Sequence, residues 1–314
     1  MKKILEIIKQ FDTIIIHGHI RPDGDCIGSQ YGLMYLIKES FPEKNVYVTG
    51  DKSDYLSFIG EPEKISEELF FNALSICVDC PDKERLSDDR IYKSKYIIKI
   101  DHHYDSEKYA DYEYIDYNAT SCTSIITEFY IKFKDELKMN IESATALYTG
   151  LLTDSGFFKN SNVTSKTFDI ASVLVERGVD LTFVNNSLSL ENINTIKFKG
   201  YCINNIKLTE NGFCYIKIDK NELNRFDIDE ETASSFITVI SNIKNYPVWA
   251  LFIETKDNIR IRLRSRGPEI NELAQKYNGG GHKMASGAKL NNWLELDSFI
   301  KDADKLVKDY KELN

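Results

Sequence analysis

All five histidines of this 314-residue chain fall in three short segments, each beside aspartates or glycines. The first segment reads His17-Gly-His19-Ile-Arg-Pro-Asp23-Gly-Asp25-Cys-Ile-Gly28-Ser29. Asp23 and Asp25 in so tight a loop repel each other unless a cation lies between them. Helix capping by Asp25, with Asp23 as a turn residue, accounts for one carboxylate but not for the imidazole nearby. Asp101-His102-His103 follows an apolar run, Asp79 ends another, and Thr153-Asp154-Ser155-Gly156 closes a helical stretch. Carboxylates with one or two imidazoles suit Mn2+, with Fe and Zn as competitors, better than a thiolate site would. The ligands suffice for two divalent ions sharing a bridging Asp. Two ions about 3.5–4 Å apart clamp a phosphoryl group and activate water for in-line displacement.

A second constellation lies toward the C-terminus. Arg260, Arg262, Arg264 and Arg266 occupy alternate positions around Ser265, followed by Asn278-Gly279-Gly280-Gly281-His282-Lys283 and Ala285-Ser286-Gly287. Alternate strand positions share a face, so the arginines are expected to form one electropositive stripe. A solvated edge strand is the competing reading. Three consecutive glycines let backbone N–H groups approach an anion, a nest that His282 can supplement. A G-x-x-x-x-G-K-[ST] loop is missing, which argues against an NTPase of that type.

These groups need a scaffold, and the composition permits one. With 42% hydrophobic and 28% charged residues the chain reads as an ordinary globular protein. Its 40 Lys+Arg against 49 Asp+Glu give −9, which disfavours long nucleic-acid polymers and long duplexes but not a short anion held by a few groups. The sequence has no apolar run of roughly 18 residues, so no membrane partner is expected. Six cysteines in a chain of this size do not make a disulfide framework. Cys77 and Cys80 end a strand-like run, where positions i and i+3 face opposite ways, which disfavours chelation. The expectation is a soluble, cytoplasmic, reduced protein.

Stretches 13–16, 45–49, 74–78 and 96–100 are β-rich, and 27–38, 121–134, 141–152 and 165–177 have helical patterning. This alternation predicts an α/β fold with a mostly parallel sheet flanked by helices on both faces. Three of those strands run directly into Asp or His, at the carboxyl edge where such sheets bind ligands. A polar stretch at 186–200 is expected to link a domain at 1–185 to a smaller α+β domain at 201–314. The latter should hold strands at 201–208, 213–218, 248–254 and 258–264, with helices at 230–243, 269–277 and 296–310.

On the residues 19–29, Val78-Asp79, Asp101-His102-His103 and Thr153–Gly156, the chain resembles the DHH phosphoesterases. Its Gly279–His282 run resembles the signature of the DHHA1 domain that accompanies many of them. The resemblance implies metal ligands at His19, Asp23, Asp25, Asp79, His102 and Asp154, with Asp79 bridging two ions, most often Mn2+. It implies that His103 faces the reacting phosphate or leaving group and that Asp101 orients the histidines. His17, on the strand side shared with His19, is expected to support the site. Arg262, Arg264, Ser265, Arg266, Gly279, Gly280, Gly281, His282 and Ser286 would grip the far end of the substrate. Arg-Ser-Arg-Gly-Pro before the glycine run is most similar to bacterial nanoRNases that also remove the 3′-phosphate of 3′-phosphoadenosine 5′-phosphate (pAp). Short RNA oligonucleotides and pAp are therefore the expected substrates, and the reading admits a homodimer. Hydrolysis of c-di-AMP or its linear product pApA is the alternative, and a non-catalytic nucleotide sensor is the alternative from another class.

Overall fold

Runs of isoleucine and valine pair into a parallel sheet in the first half of the chain. The computed structural model describes residues 1–104 and 106–313. It divides into two units, Met1–Leu190 and Glu191–Asn314. The first contains α1 (Lys2–Gln10), β1 (Thr13–His17), α2 (Gly24–Ser40), β2 (Asn45–Val48), β3 (Leu74–Val78), β4 (Tyr96–Asp101) and β5 (Tyr112–Ile115). Four helices follow: α3 (Cys122–Lys132), α4 (Ile141–Asp154), α5 (Ser165–Glu176) and α6 (Leu181–Ser189). The strand order is β2-β1-β3-β4-β5, all parallel. Chain direction across the sheet reverses between β1 and β3, the switch point at which ligands bind in open α/β sheets.

Strand alternation separates the two faces. Ile14, Ile16, Ile76 and Val78 join Ile27, Leu33, Ile125 and Leu147 in the main core, beneath α1 to α5. On the other face, Ile15 packs with Phe70 and Ala73, and Cys77 with Ile91 and Ile97. Short 3-10 segments, Glu67–Asn72 and Asp89–Lys93, cover that side in place of α-helices. α2 lies unusually close to α4 because glycines face it: a Cβ on Gly28 would sit 2.6 Å from the Ala146 carbonyl oxygen. That proximity carries the C-terminal end of α4, and with it Asp154, to the N-terminal end of α2.

The second unit contains α7 (Ile193–Asn204), β6 (Lys207–Leu208), β7 (Phe213–Ile218), α8 (Lys220–Phe226), α9 (Glu230–Ser235), β8 (Val248–Glu254) and β9 (Ile259–Ser265). It ends with α10 (Asn271–Lys276), β10 (Gly280–His282), β11 (Ala285–Leu290) and α11 (Leu296–Leu313). Its sheet runs β10-β11-β9-β8-β7-β6, antiparallel except for β7 with β8. Two clusters sandwich it: Phe252, Ile261 and Phe299 on one face, Phe198, Leu251 and Phe236 on the other.

The expected strand at 201–208 is helix in its first half. Phe198 and Cys202, four residues apart, bury one face of α7, and only Lys207–Leu208 pair as β. The segment 186–200 carries the end of α6 and most of α7. The expected helix at 230–243 is α9 followed by a 3-10 turn at Phe236–Ile240. Among the described residues no helix is long and apolar enough to cross a membrane.

Candidate active site

The switch point places its chemistry at the ends of β1 and β3. β3 stops at Val78, and Asp79 turns into the left-handed region at φ 54°, its N–H donating to the Ile100 carbonyl at 3.0 Å. A non-glycine residue held there costs about 1–3 kcal/mol and persists only where its surroundings impose it. The turn aims the Asp79 carboxylate into the cluster. Oδ2 lies 3.6 Å from His19 Nε2; Oδ1 lies 3.4 Å from His102 Nε2 and 3.6 Å from His103 Nδ1. Oδ1 is buried and accepts no hydrogen bond.

On one side of Asp79 stand His19 and Asp23, with His19 Nε2 3.9 Å from Asp23 Oδ1. His19 Nδ1 faces the Ile20 carbonyl at 2.9 Å; a carbonyl only accepts, so Nδ1 carries the proton and Nε2 points inward. On the other side His102 Nε2 lies 3.6 Å from Asp25 Oδ2 and 3.9 Å from Asp154 Oδ2. All six expected ligands therefore come together around Asp79, in two sets that share it.

The competing reading, in which Asp25 caps the helix, is corrected. Asp23, not Asp25, caps α2, accepting from the N–H groups of Asp25 and Cys26, both at 3.1 Å. Asp25 is buried and crosses to the first turn of α3. It accepts from Cys122 N at 2.6 Å, Thr123 N at 2.9 Å and Thr123 Oγ1 at 2.8 Å. An anion at a helix N-terminus is stabilised by those free N–H groups.

Asp101 organises the next shell of contacts. Its Oδ1 accepts from His102 N at 2.8 Å and pairs with His103 Nδ1 at 2.8 Å, while Oδ2 accepts from Ser106 Oγ at 2.7 Å. Beneath it lies Lys99, wholly buried, 3.7 Å from Asp101 Oδ2. The Lys99 ammonium donates to the Pro81 and Glu107 carbonyls at 2.8 and 2.9 Å and lies over the Tyr109 ring. Lys99 escaped the sequence reading; its signal is a lone lysine in the apolar run Tyr-Ile-Ile-Lys-Ile-Asp.

His17 does not face this cluster. Its Nε2 lies 3.0 Å from Ser75 Oγ and its ring packs on Phe70, on the opposite sheet face. The chain leaves β1 at Gly18, so strand alternation does not carry through to His19. Burial drives the His17 imidazole down to about 4, so it is neutral at physiological pH. Cys77 and Cys80, expected on opposite faces, share one cluster because the turn at Asp79 breaks the alternation. The Tyr109 hydroxyl contacts Cys77 Sγ at 3.2 Å and donates to the Cys80 carbonyl at 2.8 Å.

The charge balance tests whether metal suits the cluster. Burial raises the Asp154 carboxyl to about 6, and burial with Asp79 and Asp154 nearby pushes Asp25 well above the usual range. Burial opposes the charge on His19 and His102. The surrounding acceptors outweigh it, chiefly Asp79, and hold them up at about 9 and about 10. Asp79 is lowered despite its burial, by these same imidazoles. The pocket thus demands positive charge. Divalent ions would supply it while displacing protons from the imidazoles, and they would give the orphaned Asp79 Oδ1 a partner. The oxygen and imidazole donors fit a hard or borderline ion. Cys26 also lies within reach of His19 and Asp79, but burial keeps its thiol protonated and a poor ligand.

In the second unit Arg260, Arg262 and Arg264 do share one face of β9, opposite Ile253, Leu251 and Trp249 of β8. Arg266 lies past the strand, stacked over Trp249 and donating to the Ile243 carbonyl at 3.2 Å. Arg260 and Arg262 approach Glu231 at 3.3 and 3.5 Å, and Arg264 Nη1 donates to the Leu263 carbonyl. Arg262 Nε is a buried donor with no acceptor. The glycine run is not a nest: Gly280–His282 is the edge strand β10, and the Gly279 N–H is spent on the Ala274 carbonyl. Gly279 is required by packing, since a Cβ there would lie 2.0 Å from the Gly287 carbonyl oxygen, whereas Gly280 faces open space. Ser265 and Ser286 use their hydroxyls inside the fold, on the Pro268 and His282 carbonyls. His282 is exposed on the edge strand.

Comparison with known proteins gives consistent matches. A model of the DHH family, N-terminal domain, matches residues 13–151, and one of the DHHA1 domain matches residues 210–309. The bifunctional oligoribonuclease and PAP phosphatase NrnA of Bacillus subtilis is 36% identical over 310 residues, covering 98% of this chain and 99% of the relative. The cyclic-di-AMP phosphodiesterase GdpP of Geobacillus thermodenitrificans is 26% identical over 91% of this chain, which spans 46% of that protein. The crystal structure of an exopolyphosphatase-related protein from Bacteroides fragilis superposes with a TM-score of 0.83 at 25% identity, covering 99% of this chain and 96% of that one.

Proposed function

The chain belongs to the DHH family, whose members are metal-dependent phosphoesterases, and from that premise we propose that it hydrolyses short oligoribonucleotides and removes the 3′-phosphate of pAp, using two divalent ions, most often Mn2+. The observation that carries the reading is Asp79, whose two oxygens face two separate sets of imidazole and carboxylate donors.

His19 and Asp23 would hold one ion and Asp25, His102 and Asp154 the other, with Asp79 shared. Bound there, the ions supply Lewis acidity toward the phosphoryl group and acidify a water. The protein's own groups do the rest. The N–H groups at the start of α3 fix Asp25, and Asp101 fixes His103 through Nδ1. The Asp101 hydrogen bond raises the His103 imidazole and takes up Nδ1, which leaves Nε2 available to donate to a leaving oxygen. Arg262, with its unpaired Nε, and Arg264 and His282 serve as anion-binding groups, and Arg266 stays with Trp249.

Turnover of an RNA series from 2-mer to 10-mer, pAp and c-di-AMP tests the proposal. With Mn2+ the shortest RNAs and pAp should be cleaved fastest, with activity lost on chelation and restored by Mn2+. Faster turnover of c-di-AMP than of pAp would favour the GdpP-like activity. Saturable nucleotide binding without turnover would favour a sensor.

A further inference from the structure

A pair of exposed tyrosines stands at the same sheet edge as the carboxylate–imidazole cluster. Tyr104 follows His103 directly, and Tyr117 lies two residues beyond β5. The ends of the two strands are tied together: Asp101 pairs with Ile115, and the Asp116 N–H donates to the Asp101 carbonyl at 3.0 Å. Tyr104 therefore emerges from the strand end that fixes His103, and Tyr117 from the strand end beside it. Their rings are stacked, with centroids 5.3 Å apart and an interplanar angle of 13°. Tyr104 is 77% exposed, more than any other aromatic side chain among the described residues, and Tyr117 is 45% exposed.

Folding gains little from leaving two large rings in water. A parallel pair with an open face does, however, present a π surface on which a further planar ring can stack. We propose that Tyr104 and Tyr117 form the platform on which a nucleobase of the substrate stacks, beside the scissile phosphate. The inference rests on the nucleotide phosphoesterase reading above and adds the group that recognises the base. The occupant is a base rather than a second protein, because the neighbouring chemistry is for phosphate and a nucleotide carries both groups on one ribose. Every base has a π face, so a stacking platform accepts mixed sequences without hydrogen-bond readout. Purines, with the larger ring system, are expected to bind more tightly than pyrimidines.

The test compares pApA with the same dinucleotide in which one or the other adenine is replaced by hydrogen. For wild-type protein with Mn2+, removing the stacked base should raise KM. Tyr104→Ala should raise KM for pApA by about tenfold, with a much smaller rise for the analogue lacking the stacked base. Tyr104→Phe and Tyr104→Trp should keep the wild-type discrimination, since the ring face and not the hydroxyl is used. AMP should quench the added fluorescence of Tyr104→Trp saturably. Equal losses of Tyr104→Ala on pApA and on both abasic analogues would overturn the platform, as would a Tyr104→Trp signal indifferent to AMP. Failure of wild-type protein to cleave pApA at all would instead overturn the short-oligoribonucleotide activity on which the platform rests.

Discussion

The cluster around Asp79 and the arginine row on β9 both suit a phosphate, but they are built differently. In the first unit the groups are buried or partly buried, and most are fixed by a further partner: Asp25 by the start of α3, His103 by Asp101, Asp101 by Ser106 and Lys99. In the second unit the arginines are half-exposed, and two share one exposed carboxylate, Glu231. Fixed groups are ready for the geometry of a transition state. Half-exposed arginines bind whatever anion arrives and adjust to it. The difference matches the proposed division, with turnover in the first region and affinity in the second.

That division can be broken by substitution. Asp79→Ala takes the shared carboxylate from both donor sets and should lower kcat for pAp and short RNA by about a thousandfold or more, near 4 kcal/mol of barrier, with the circular dichroism spectrum unchanged. Retained turnover would end the two-ion reading. Lys99→Met strips a buried ammonium from Asp101 and from two carbonyls, and should cost about 3 kcal/mol in urea unfolding. A loss below about 0.5 kcal/mol would mean that the lysine is dispensable to the fixed region. Arg262→Ala should raise KM for short substrates by about tenfold while kcat changes by less than about threefold. A large kcat effect would erase the distinction between the two regions.

Much of this was legible in the residues themselves. The strands at 74–78, 213–218 and 248–254 follow β-rich runs, and the six candidate ligands stand just past strand ends or at a helix terminus. What was not legible depended on backbone angles and on distant partners. Which of Asp23 and Asp25 caps α2 turns on the path of the chain between them, and Asp25 finds its donors 97 and 98 residues away. Cys77 and Cys80 meet because of one positive φ at Asp79, a conformation that residue type alone does not announce. The glycine run resembles a nest in composition, yet it pairs with β11 because Gly279 must pass close to the Gly287 carbonyl. The stretch 201–208 shows β-like residues, and burial of Phe198 and Cys202 overrides that tendency.

The left-handed backbone at Asp79 bears on how this protein can change. Glycine accepts that conformation freely and asparagine accepts it readily, and each lies one base substitution from an aspartate codon. Either replacement would keep the turn while removing the charge that the donor sets share and that holds up the His19 and His102 imidazoles. The step is therefore cheap for the backbone, and its cost falls on the two imidazoles that lose their partner. A copy of this chain released from the need to hydrolyse has a single-base route to a relative that keeps the turn and lacks the shared carboxylate.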